Sequence, residues 1–576
     1  MGLGCMRLPT DAAGGDGVAY DTIAAAARAG ITIFDTAHAY GARDTASGEN
    51  ERMVARALRR CDAAGRAKII TKGGMTRIGD GWFPDGRASA ILAGCEASLA
   101  ALDGLAIDLF LIHAPDPRTP WATSVRALGR LLDQRSVAHV GLSNVNRRQL
   151  EEATELVEVT AVEVALSVFD DSAVRGGLLD FCEDRGITVI AHSPLGGPRR
   201  ARSIARRAEL RDIANARGAT PEEVALTWVL DLSPAVIAIP GARRPETARS
   251  AARAASLALD PMEQALVRTG FGWPQPRRAG AASIPGDDGE VVVIMGIPGA
   301  GKSRHAEDYV ARGYLRLNRD ERGGSLRLIN EAIDEALASG TRRIVLDNTY
   351  LTRGVRSHVL EAAAHHRLGV RCIWMDTPLA QAQVNMVERL LDRYGTLPAP
   401  EALRLLERRE PGILTPTRQM SAFRQLEPPS TDEGFSAVER IPFTRNPARS
   451  PGARSDSAGG MFVAAAALAH PDWQRAVALG DPSAVHLLFE WRPGAALDVL
   501  DDGAARLSAE VAGGVMRALC PHPGGPPVCW CRPPLPGLIL AFARNHGVDV
   551  SRSALVGAGP AHHTLARTLG VRYLPV

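Results

Sequence analysis

The sequence has no apolar run long enough to cross a bilayer, and its beginning lacks the basic and apolar segments of a secretory signal peptide. It also lacks an excess of charge of one sign, since 67 Lys and Arg stand against 64 Asp and Glu, a net charge of +3. A basic field that attracts nucleic acid over the whole surface is therefore excluded. We expect no membrane partner, and any nucleic-acid binding must be local.

The eight cysteines do not form the regular framework of a disulfide-rich secreted domain. Five of them are scattered along the chain, and three are clustered near one histidine. The scattered residues are Cys5, Cys61, Cys95, Cys182 and Cys372, and the cluster is Cys520, His522, Cys529 and Cys531. This distribution suits a reducing compartment, and we expect a cytoplasmic protein.

The length of 576 residues predicts several domains, because single cores stop growing near about 250–300 residues. A hydrophobic content of 45% and a charged content of 23% are ordinary for globular protein. Pro- and Gly-rich segments separate three α/β domains. The predicted boundaries are 1–265 for the first domain, 266–289 for a linker, 290–445 for the second domain, 446–459 for a connector and 460–576 for the third domain.

A glycine-rich loop, Gly296-Ile-Pro-Gly-Ala-Gly-Lys-Ser303, lies in the middle of the chain. The apolar run 290–295 before it predicts a buried strand, and the segment 303–311 after it predicts a helix. This is the context in which such a loop binds phosphate through backbone N–H groups and a helix N-terminus. Lys302 would then contact the β- and γ-phosphates and Ser303 the Mg²⁺ ion of ATP or GTP. The alternative is a glycine-rich turn without a ligand.

Short apolar segments alternate with helical patterns throughout the first domain. The predicted strands are 3–5, 31–35, 68–72, 107–113, 139–143, 162–167, 187–193 and 235–239. Helical segments such as 88–102 and 221–232 lie between them. Eight β/α units in roughly 250 residues predict a (β/α)₈ barrel.

Four polar side chains follow the strand ends of this barrel. Asp35, Lys72 and His113 end three strands, and Tyr40 lies on the loop after Asp35. They should meet at the C-terminal rim, where barrel enzymes carry their catalytic groups. Carbonyl reduction by hydride requires a positioned acid, and a neighbouring ammonium makes a tyrosine more acidic. Each residue taken alone would be an ordinary solvated charge.

The first domain resembles the aldo-keto reductase family. The segments that carry the resemblance are Gly2-Leu-Gly-Cys-Met-Arg-Leu8, Phe34-Asp-Thr-Ala-His-Ala-Tyr-Gly41, Lys72, His113, Gly141-Leu-Ser-Asn144 and Ala191-His-Ser-Pro-Leu-Gly196. The resemblance implies a small carbonyl substrate, NADPH as reductant, Tyr40 as proton donor, Asp35 and Lys72 as its support, and His113 orienting or polarising the carbonyl.

The same resemblance implies a nicotinamide site with two departures. Ser143 and Asn144 are the expected residues, but Glu163 stands where a glutamine usually holds the carboxamide. His192 replaces a tyrosine that usually stacks on the nicotinamide. The segment Ile239-Pro-Gly-Ala-Arg-Arg244 is similar to the loop that binds the 2′-phosphate, with either arginine, 243 or 244, as its partner.

The second domain shows strands that end in acidic residues, which is typical of P-loop α/β enzymes. The run Asn318-Arg-Asp320 resembles the corresponding stretch of polynucleotide 5′-hydroxyl kinases. The resemblance implies Asp320 as the base and Arg319 as a contact of the acceptor phosphate. It also implies Asp347 as a second acid that positions acceptor or metal. Arg389 or Arg393, on a predicted helix over 379–394, would cover ATP. Helix capping by the acids and a solvated helix face for the arginines remain alternatives.

The third domain contains Cys520-Pro-His522 and, six residues later, Cys529-Trp-Cys531, a spacing that can close a tetrahedral Zn²⁺ site. It resembles the zinc loop of haloacid-dehalogenase-type phosphatases. Those enzymes need a nucleophilic Asp at their first strand, but the strand expected here, 461–468, has alanines at 464–467. We therefore expect a phosphatase-like domain without phosphatase activity. Buried reduced thiols are the alternative to metal.

Three interpretations of the whole chain follow. The first combines a reductase with an ATP-dependent kinase for 5′-hydroxyl ends of RNA, DNA or nucleotides, as in end-healing. The second is a reductase and a kinase that act on one small metabolite. The third is a barrel that serves as a nicotinamide sensor or scaffold for the kinase. Salt-sensitive oligonucleotide binding would favour the first.

Overall fold

The computed structural model describes residues 1–8, 16–41, 47–78, 81–273, 289–323, 326–444, 458–525 and 527–576. The predicted linker and the predicted connector lie mostly outside these residues. The chain divides into two compact units, one of residues 1–281 with 352–358 and one of residues 282–351 with 359–576. Within the described residues, no helix has the length and apolar character needed to span a membrane.

Among its described residues, the first unit contains ten strands, of which eight form one parallel sheet. The strands are β1 (Gly2–Gly4), β2 (Ile33–Asp35), β3 (Lys68–Gly73), β4 (Met75–Ile78), β5 (Gly81–Pro84), β6 (Leu109–Ile112), β7 (His139–Ser143), β8 (Ala161–Ala165), β9 (Thr188–His192) and β10 (Val236–Ile239). The sheet order is β1-β2-β3-β6-β7-β8-β9-β10, and a parallel bridge from Gly4 to Gly241 joins its two edges. This confirms the predicted (β/α)₈ barrel.

Twelve helices accompany these strands. They are α1 (Asp16–Arg28), α2 (Glu49–Arg60), α3 (Ala88–Leu102), α4 (Trp121–Asp133), α5 (Arg147–Thr154), α6 (Ser172–Arg175), α7 (Leu178–Arg185), α8 (Gly197–Ile204), α9 (Ala208–Arg217), α10 (Pro221–Leu230), α11 (Pro245–Ala254) and α12 (Pro261–Gly270). Thr220 begins α10 with a capping box and Pro221 at its first turn, as the sequence pattern predicts. Apolar side chains from several strands, among them Ile70, Leu111 and Ile190, fill the barrel interior below the rim.

The antiparallel hairpin β4–β5 was not among the predicted strands. It follows β3 directly and precedes α3, so it lies in a loop at the C-terminal rim of the barrel. Its exposed face and short strands give only a weak sequence pattern. The hairpin brings Trp82 to the rim.

The second unit contains two parallel sheets of five strands each. The strands are β11 (Glu290–Met295), β12 (Leu315–Leu317), β13 (Arg343–Asp347), β14 (Gly369–Asp376), β15 (Ala437–Pro442), β16 (Gly460–Ala464), β17 (Val485–Trp491), β18 (Val515–Cys520), β19 (Ala554–Gly557) and β20 (Arg572–Pro575). The sheet orders are β12-β13-β11-β14-β15 and β18-β17-β16-β19-β20. The first strand of each sheet, β11 or β16, lies at its centre, where the strand order reverses and ligands usually bind.

The helices of the second half of the chain complete these layers. They are α13 (Lys302–Ala311), α14 (Arg319–Arg322), α15 (Leu326–Ala338), α16 (Arg353–His365), α17 (Leu379–Tyr394), α18 (Pro400–Arg409), α19 (Pro416–Gln425), α20 (Trp473–Ala478), α21 (Asp501–Ser508), α22 (Gly537–His546) and α23 (Pro560–Leu569). The helix α17 packs against α22 and α23, and one apolar cluster that includes Val387, Leu390 and Ile539 joins the two sheets' helices.

Candidate functional site

Side chains from three strands converge at the rim of the barrel. Lys72 is buried, and its ammonium donates a hydrogen bond to the Asp35 carboxylate and another of 3.1 Å to the Thr36 carbonyl. Its Nζ lies 3.1 Å from Oε2 of Glu163 and 5.4 Å from the ring centroid of Tyr40. The structure therefore brings the predicted Asp35, Tyr40 and Lys72 together, and it adds a second carboxyl group.

His113 and Trp82 enclose Tyr40 from the other side. The Tyr40 ring makes edge contacts with both, at centroid distances of 5.6 Å to His113 and 6.1 Å to Trp82. Among the described residues, Nδ1 of His113 has no hydrogen-bond partner although it is buried. The side chain of Trp82 is 36% exposed, so it can contact a molecule that reaches Tyr40. No sequence pattern indicates Trp82, because its position depends on the hairpin that carries it.

Burial and charge shift the titration of these groups. Burial raises the pKa of Tyr40, and the Lys72 charge opposes that shift. Burial alone would lower the pKa of Lys72, but the carboxylates of Asp35 and Glu163 raise it. Burial, with the charges of Lys72 and His192, lowers the pKa of His113 to about 3. His113 is therefore neutral at pH 7, and Lys72 is charged.

A polar network lies beside this cluster. Nδ2 of Asn144 donates to the His113 carbonyl and to Oγ of Ser143, both at 3.0 Å. Asn144 has φ of 57°, a left-handed conformation that an asparagine tolerates. Nε2 of the half-buried His192 lies 3.2 Å from Oδ1 of Asn144. Ser143, Asn144 and His192 thus form one chain of groups that could hold a cofactor amide.

Glu163 does not join that network by its side chain. Its carboxyl group contacts the Lys72 ammonium instead, and the sequence pattern did not indicate this partner. Arg243 and Arg244 are exposed on the loop after β10, and Arg244 is the N-cap of α11. Two guanidinium groups at a helix N-terminus are suited to a phosphate group.

The phosphate loop of the second unit has the backbone that its glycines allow. Gly296, Gly299 and Gly301 have φ of 152°, 87° and 89°. A Cβ on Gly296 would lie 2.8 Å from the Met375 carbonyl oxygen, and one on Gly299 would lie 2.6 Å from the Ala382 carbonyl oxygen. Side chains at these two positions would collide with the backbone of β14 and α17, so the glycines allow the loop to pack closely against both elements.

Lys302 folds onto the same turn. Its Nζ donates to the carbonyl oxygens of Gly296 at 2.9 Å and Ile297 at 3.0 Å. Burial lowers the pKa of Lys302 to about 8, and the charge of Arg389 adds to the effect. Ser303 follows in the first turn of α13 and is exposed.

Two residues that the sequence did not indicate hold the loop from outside. Nδ2 of Asn385 donates to the Gly299 carbonyl at 2.7 Å, and Nε2 of Gln419 donates to the Pro298 carbonyl at 2.9 Å. They lie on α17 and α19, more than 80 residues after the loop. No pattern within the loop could have indicated them.

The acidic residues near this loop have different environments. Asp347 is buried, and its carboxylate accepts hydrogen bonds from Arg316 (2.6 Å) and Asn318 (2.6 Å). The carboxylate of Asp320 is 42% exposed and lies 3.3 Å from Nη2 of Arg319. Asp320 is thus accessible to a substrate, whereas Asp347 is engaged in fixing the strand end.

The two arginines that were predicted to cover ATP have different partners in the structure. Nη1 of Arg389 donates to the Gly412 carbonyl at 3.1 Å, and a Cβ on Gly412 would lie 3.5 Å from Oδ2 of Asp320. Arg389 and Asp320 therefore meet at Gly412. Arg393 is paired at 2.7 Å with Glu410 instead. The geometry favours Arg389.

The predicted metal ligands come together in the third domain. Sγ of Cys520, Cys529 and Cys531 and a ring nitrogen of His522 all lie within 4.8 Å of one another. The separations include 3.6 Å between Cys520 and Cys529 and 3.1 Å between His522 Nδ1 and Cys531. Three thiols and one imidazole at these distances fit a tetrahedral metal ion such as Zn²⁺.

This cluster lies beside the elements that hold the phosphate loop. Nε1 of Trp530 donates to the Leu414 carbonyl at 3.1 Å, and Oγ1 of Thr417 donates to the Pro527 carbonyl at 2.9 Å. Leu414 and Thr417 flank the start of α19, which carries Gln419. The loop of the four ligands is thus joined to the phosphate loop through one helix.

The predicted first strand of the third domain, 461–468, is shorter in the structure. The strand β16 ends at Ala464, and a 3₁₀ helix (Ala465–Ala469) follows. The residues at the end of the strand are alanines, so no carboxylate is placed there. The geometry is therefore consistent with a domain that lacks the nucleophile of a phosphatase.

Comparisons with known proteins match two parts of this chain. The model of the aldo/keto reductase family matches residues 1–269, and that of an AAA domain matches residues 291–411. Among curated relatives, aldo-keto reductase str7 of Strobilurus tenacellus is 29% identical over 297 residues, 46% of this chain and 83% of that protein. Probable aldo-keto reductase 1 of Glycine max is 30% identical over 278 residues, 42% of this chain and 76% of that protein.

Solved structures of similar sequence are also aldo-keto reductases. The thermostable aldo-keto reductase Tm1743, in complex with the inhibitor epalrestat, is 29% identical, with 47% of this chain and 94% of that chain covered and a TM-score of 0.40. An aldo/keto reductase from Klebsiella pneumoniae, in complex with NADP and acetate, is 25% identical, with 48% and 93% covered and a TM-score of 0.42.

The first 269 residues are thus an oxidoreductase built on a (β/α)₈ barrel. The chain belongs to the aldo/keto reductase family, and its second half carries a P-loop domain of the AAA type.

Proposed function

We propose that the barrel reduces a small carbonyl compound with NADPH as reductant. When bound, NADPH supplies the hydride that adds to the carbonyl carbon. The Tyr40 hydroxyl donates its proton to the carbonyl oxygen, so the product is an alcohol and the tyrosine is left as a phenolate that regains its proton from water. Lys72 stabilises that phenolate, and Asp35 holds Lys72. Neutral His113 orients the carbonyl at the same point.

The convergence of Asp35, Tyr40, Lys72 and His113 at one rim carries this proposal. The residues that would hold the nucleotide fit it in two places. The network of Ser143, Asn144 and His192 offers hydrogen-bond groups to the carboxamide. Arg243 or Arg244 offers a cation to the 2′-phosphate. Glu163 is part of the same rim, but its contact with Lys72 gives it a different role.

We further propose that the P-loop domain is an ATP-dependent kinase. The backbone N–H groups of residues 296–303 and the Lys302 ammonium would bind the phosphates, and Ser303 would bind the Mg²⁺ ion. Asp320 would accept the proton of the attacking hydroxyl group, and Arg389 would neutralise charge on the transferred phosphoryl group. The meeting of Arg389 and Asp320 at Gly412, near Lys302, supports this assignment.

The proposed acceptor is a 5′-hydroxyl group of nucleic acid or of a nucleotide. The exposed pair Arg319 and Asp320 supports it, because a cation that binds an adjacent phosphate stands next to the base. Such a kinase would act in end-healing. The four-ligand cluster would hold a structural Zn²⁺ ion, and the third domain would have no phosphatase activity.

One experiment tests the kinase. The full chain is incubated with γ-labelled ATP and Mg²⁺ against 5′-hydroxyl RNA, 5′-hydroxyl DNA and a panel of hydroxylated metabolites. We expect label on an oligonucleotide, and loss of transfer in Lys302→Ala and Asp320→Asn. Label on a metabolite alone would replace the acceptor assignment, and label on nothing would contradict the kinase.

A second experiment tests the reductase. NADPH oxidation is followed with a panel of aldehydes, in the full chain and in Tyr40→Phe. We expect oxidation that requires both an aldehyde and Tyr40. Tight NADPH binding without reduction of any aldehyde would support a sensor in place of a reductase.

A further inference from the structure

Glu163 is buried at the C-terminal rim of the barrel, and the role of holding a cofactor amide does not explain its contacts. It lies on β8, is 3% exposed, and reaches Lys72 on β3 across the barrel interior. A residue that only held a cofactor amide would have its carboxyl group directed to the rim surface. The Glu163 carboxyl group instead contacts the ion pair of Asp35 and Lys72.

The charges at this position do not balance when all groups are ionised. Two carboxyl groups, Asp35 and Glu163, surround one ammonium, Lys72. All the other titratable groups that face them are neutral at pH 7 because burial disfavours their charged forms; these groups are Cys5, Tyr40, His113 and His192. Full ionisation would leave an uncompensated negative charge away from water, which is costly. The pair of carboxyl groups therefore retains one proton.

The contacts indicate which carboxyl group keeps the proton. Asp35 accepts a direct hydrogen bond from Lys72, which is further fixed by the Thr36 carbonyl. The Glu163 carboxyl group lies 3.1 Å from Lys72 and shares a hydrogen bond with the Asp35 carboxylate, and that bond requires a proton on Glu163 when Asp35 is ionised. Burial and the neighbouring Asp35 charge raise the pKa of Glu163 to about 8.

We propose that Glu163 is a positioning residue that carries a proton in the working enzyme, so that Lys72 keeps its full effect on Tyr40. The inference rests on the proposed role of Tyr40 as the acid. A neutral Glu163 leaves the Lys72 charge free to stabilise the Tyr40 phenolate. An ionised Glu163 adds a negative charge beside Tyr40, opposes formation of the phenolate, and so impedes proton donation to the substrate.

The pH dependence of the reduction tests this role. The rate constant kcat for reduction of 4-nitrobenzaldehyde by NADPH is measured from pH 6 to pH 10 in the native chain, in Glu163→Gln and in Glu158→Gln. We expect the native kcat to fall by about tenfold per pH unit above pH 8. The fall should be absent in Glu163→Gln, whose amide has the same shape and cannot ionise. It should persist in Glu158→Gln, because Glu158 is exposed. A fall that is unchanged in Glu163→Gln would overturn the proposal.

Stability provides a readout that needs neither cofactor nor activity. An unfolded glutamic acid loses its proton near pH 4.3, whereas the folded Glu163 keeps it to about pH 8. Between these values unfolding releases a proton, so the contribution of Glu163 to stability is present at low pH and is lost as the pH rises. We therefore expect the melting temperature of Glu163→Gln, relative to the native chain, to increase from pH 5 to pH 8. A difference that does not change with pH would overturn the protonation.

Infrared spectroscopy of the protein without cofactor tests the protonation of Glu163 separately from the role of Tyr40. The carbonyl band of a protonated carboxyl group should be present at pH 7 in the native chain and weaker by one group in Glu163→Gln. If this band is found while Tyr40→Phe still reduces aldehydes, the proposed function of Tyr40 is wrong and the protonation of Glu163 stands. If the band is absent, the inference about Glu163 fails whatever the role of Tyr40.

Discussion

At the scale of single residues, we expect Tyr40 to carry the proton transfer and little of the binding. Replacing it with Phe removes the hydroxyl group and keeps the ring contacts with His113 and Trp82. We expect kcat for carbonyl reduction to fall by about 10²–10⁴-fold, the usual contribution of a positioned acid. The Kd of NADPH, measured by tryptophan fluorescence, should stay within about twofold. Tyr20→Phe, on α1, is the matched control. An unchanged kcat in Tyr40→Phe would exclude Tyr40 as the acid.

Arg389 and Arg393 give a second comparison between two residues one helical turn apart. Arg389 meets Asp320 at Gly412, whereas Arg393 is paired with Glu410. We expect Arg389→Ala to lower the rate of phosphoryl transfer by roughly 10³-fold, because a cation on the transferred group is lost. Arg393→Ala should lower it by less than about threefold, since an exposed ion pair contributes little. Single-turnover measurements with labelled ATP distinguish the two. Equal effects would contradict the assignment.

The site residues that the sequence predicted belong to a short motif or lie at the end of a strand. Lys302 and the loop glycines are defined within eight residues, and Asp35 and Lys72 each end or nearly end a strand. The missed residues, Trp82, Asn385 and Gln419, act across long separations in the chain. The family resemblance implied that Glu163 holds a cofactor amide. The sequence does not show that β8 faces β2 and β3 across the barrel, so the contact of Glu163 with Lys72 could not be predicted. Side-chain partners inside a barrel depend on the complete sheet.

At the scale of elements, α19 connects the four-ligand cluster to the phosphate loop. All the contacts lie near the start of the helix, where Gln419 holds Pro298 while Leu414 and Thr417 contact Trp530 and Pro527. We expect removal of the metal by a chelator to loosen the segment 410–425. Its amide hydrogen exchange should become faster, and ATP binding should weaken by about tenfold, or ~1.4 kcal/mol.

The control for this prediction is a cysteine outside the cluster. Cys531→Ser should reproduce the effect of chelation, and the buried Cys372→Ser should not. If chelation releases no metal, the cluster consists of reduced thiols. If metal is released while exchange in 410–425 stays unchanged, the connection through α19 has no effect on binding.

The element boundaries that the sequence predicted well include helices that end at a residue in the left-handed conformation, as α3 does at Asp103 and α17 at Gly395. Predicted segments such as 88–102 and 379–394 coincide with α3 and α17, and the run before the phosphate loop coincides with β11. Prediction failed for the hairpin β4–β5, whose strands are short and partly exposed. It also extended β16 past Ala464, because a run of alanines gives no signal that separates a strand end from a 3₁₀ turn.

At the scale of the whole molecule, the two candidate active sites lie in different compact units. We therefore expect each chemistry to survive loss of the other. Lys302→Ala should leave NADPH-dependent reduction within about twofold of the native rate, and Tyr40→Phe should leave phosphoryl transfer equally unaffected. Steady-state rates of both reactions in both variants provide the measurement. A variant that abolishes both reactions while remaining folded would indicate that the two sites depend on each other.

The central claim is that one chain holds a hydride-transfer site and a phosphoryl-transfer site. Titration calorimetry of a single preparation, with Mg²⁺ present, tests it most directly. We expect about one equivalent of NADPH and one of ATP to bind per chain. In Lys302→Ala the heat of ATP binding should be lost and the heat of NADPH binding retained. The absence of ATP binding in the native chain would contradict the claim.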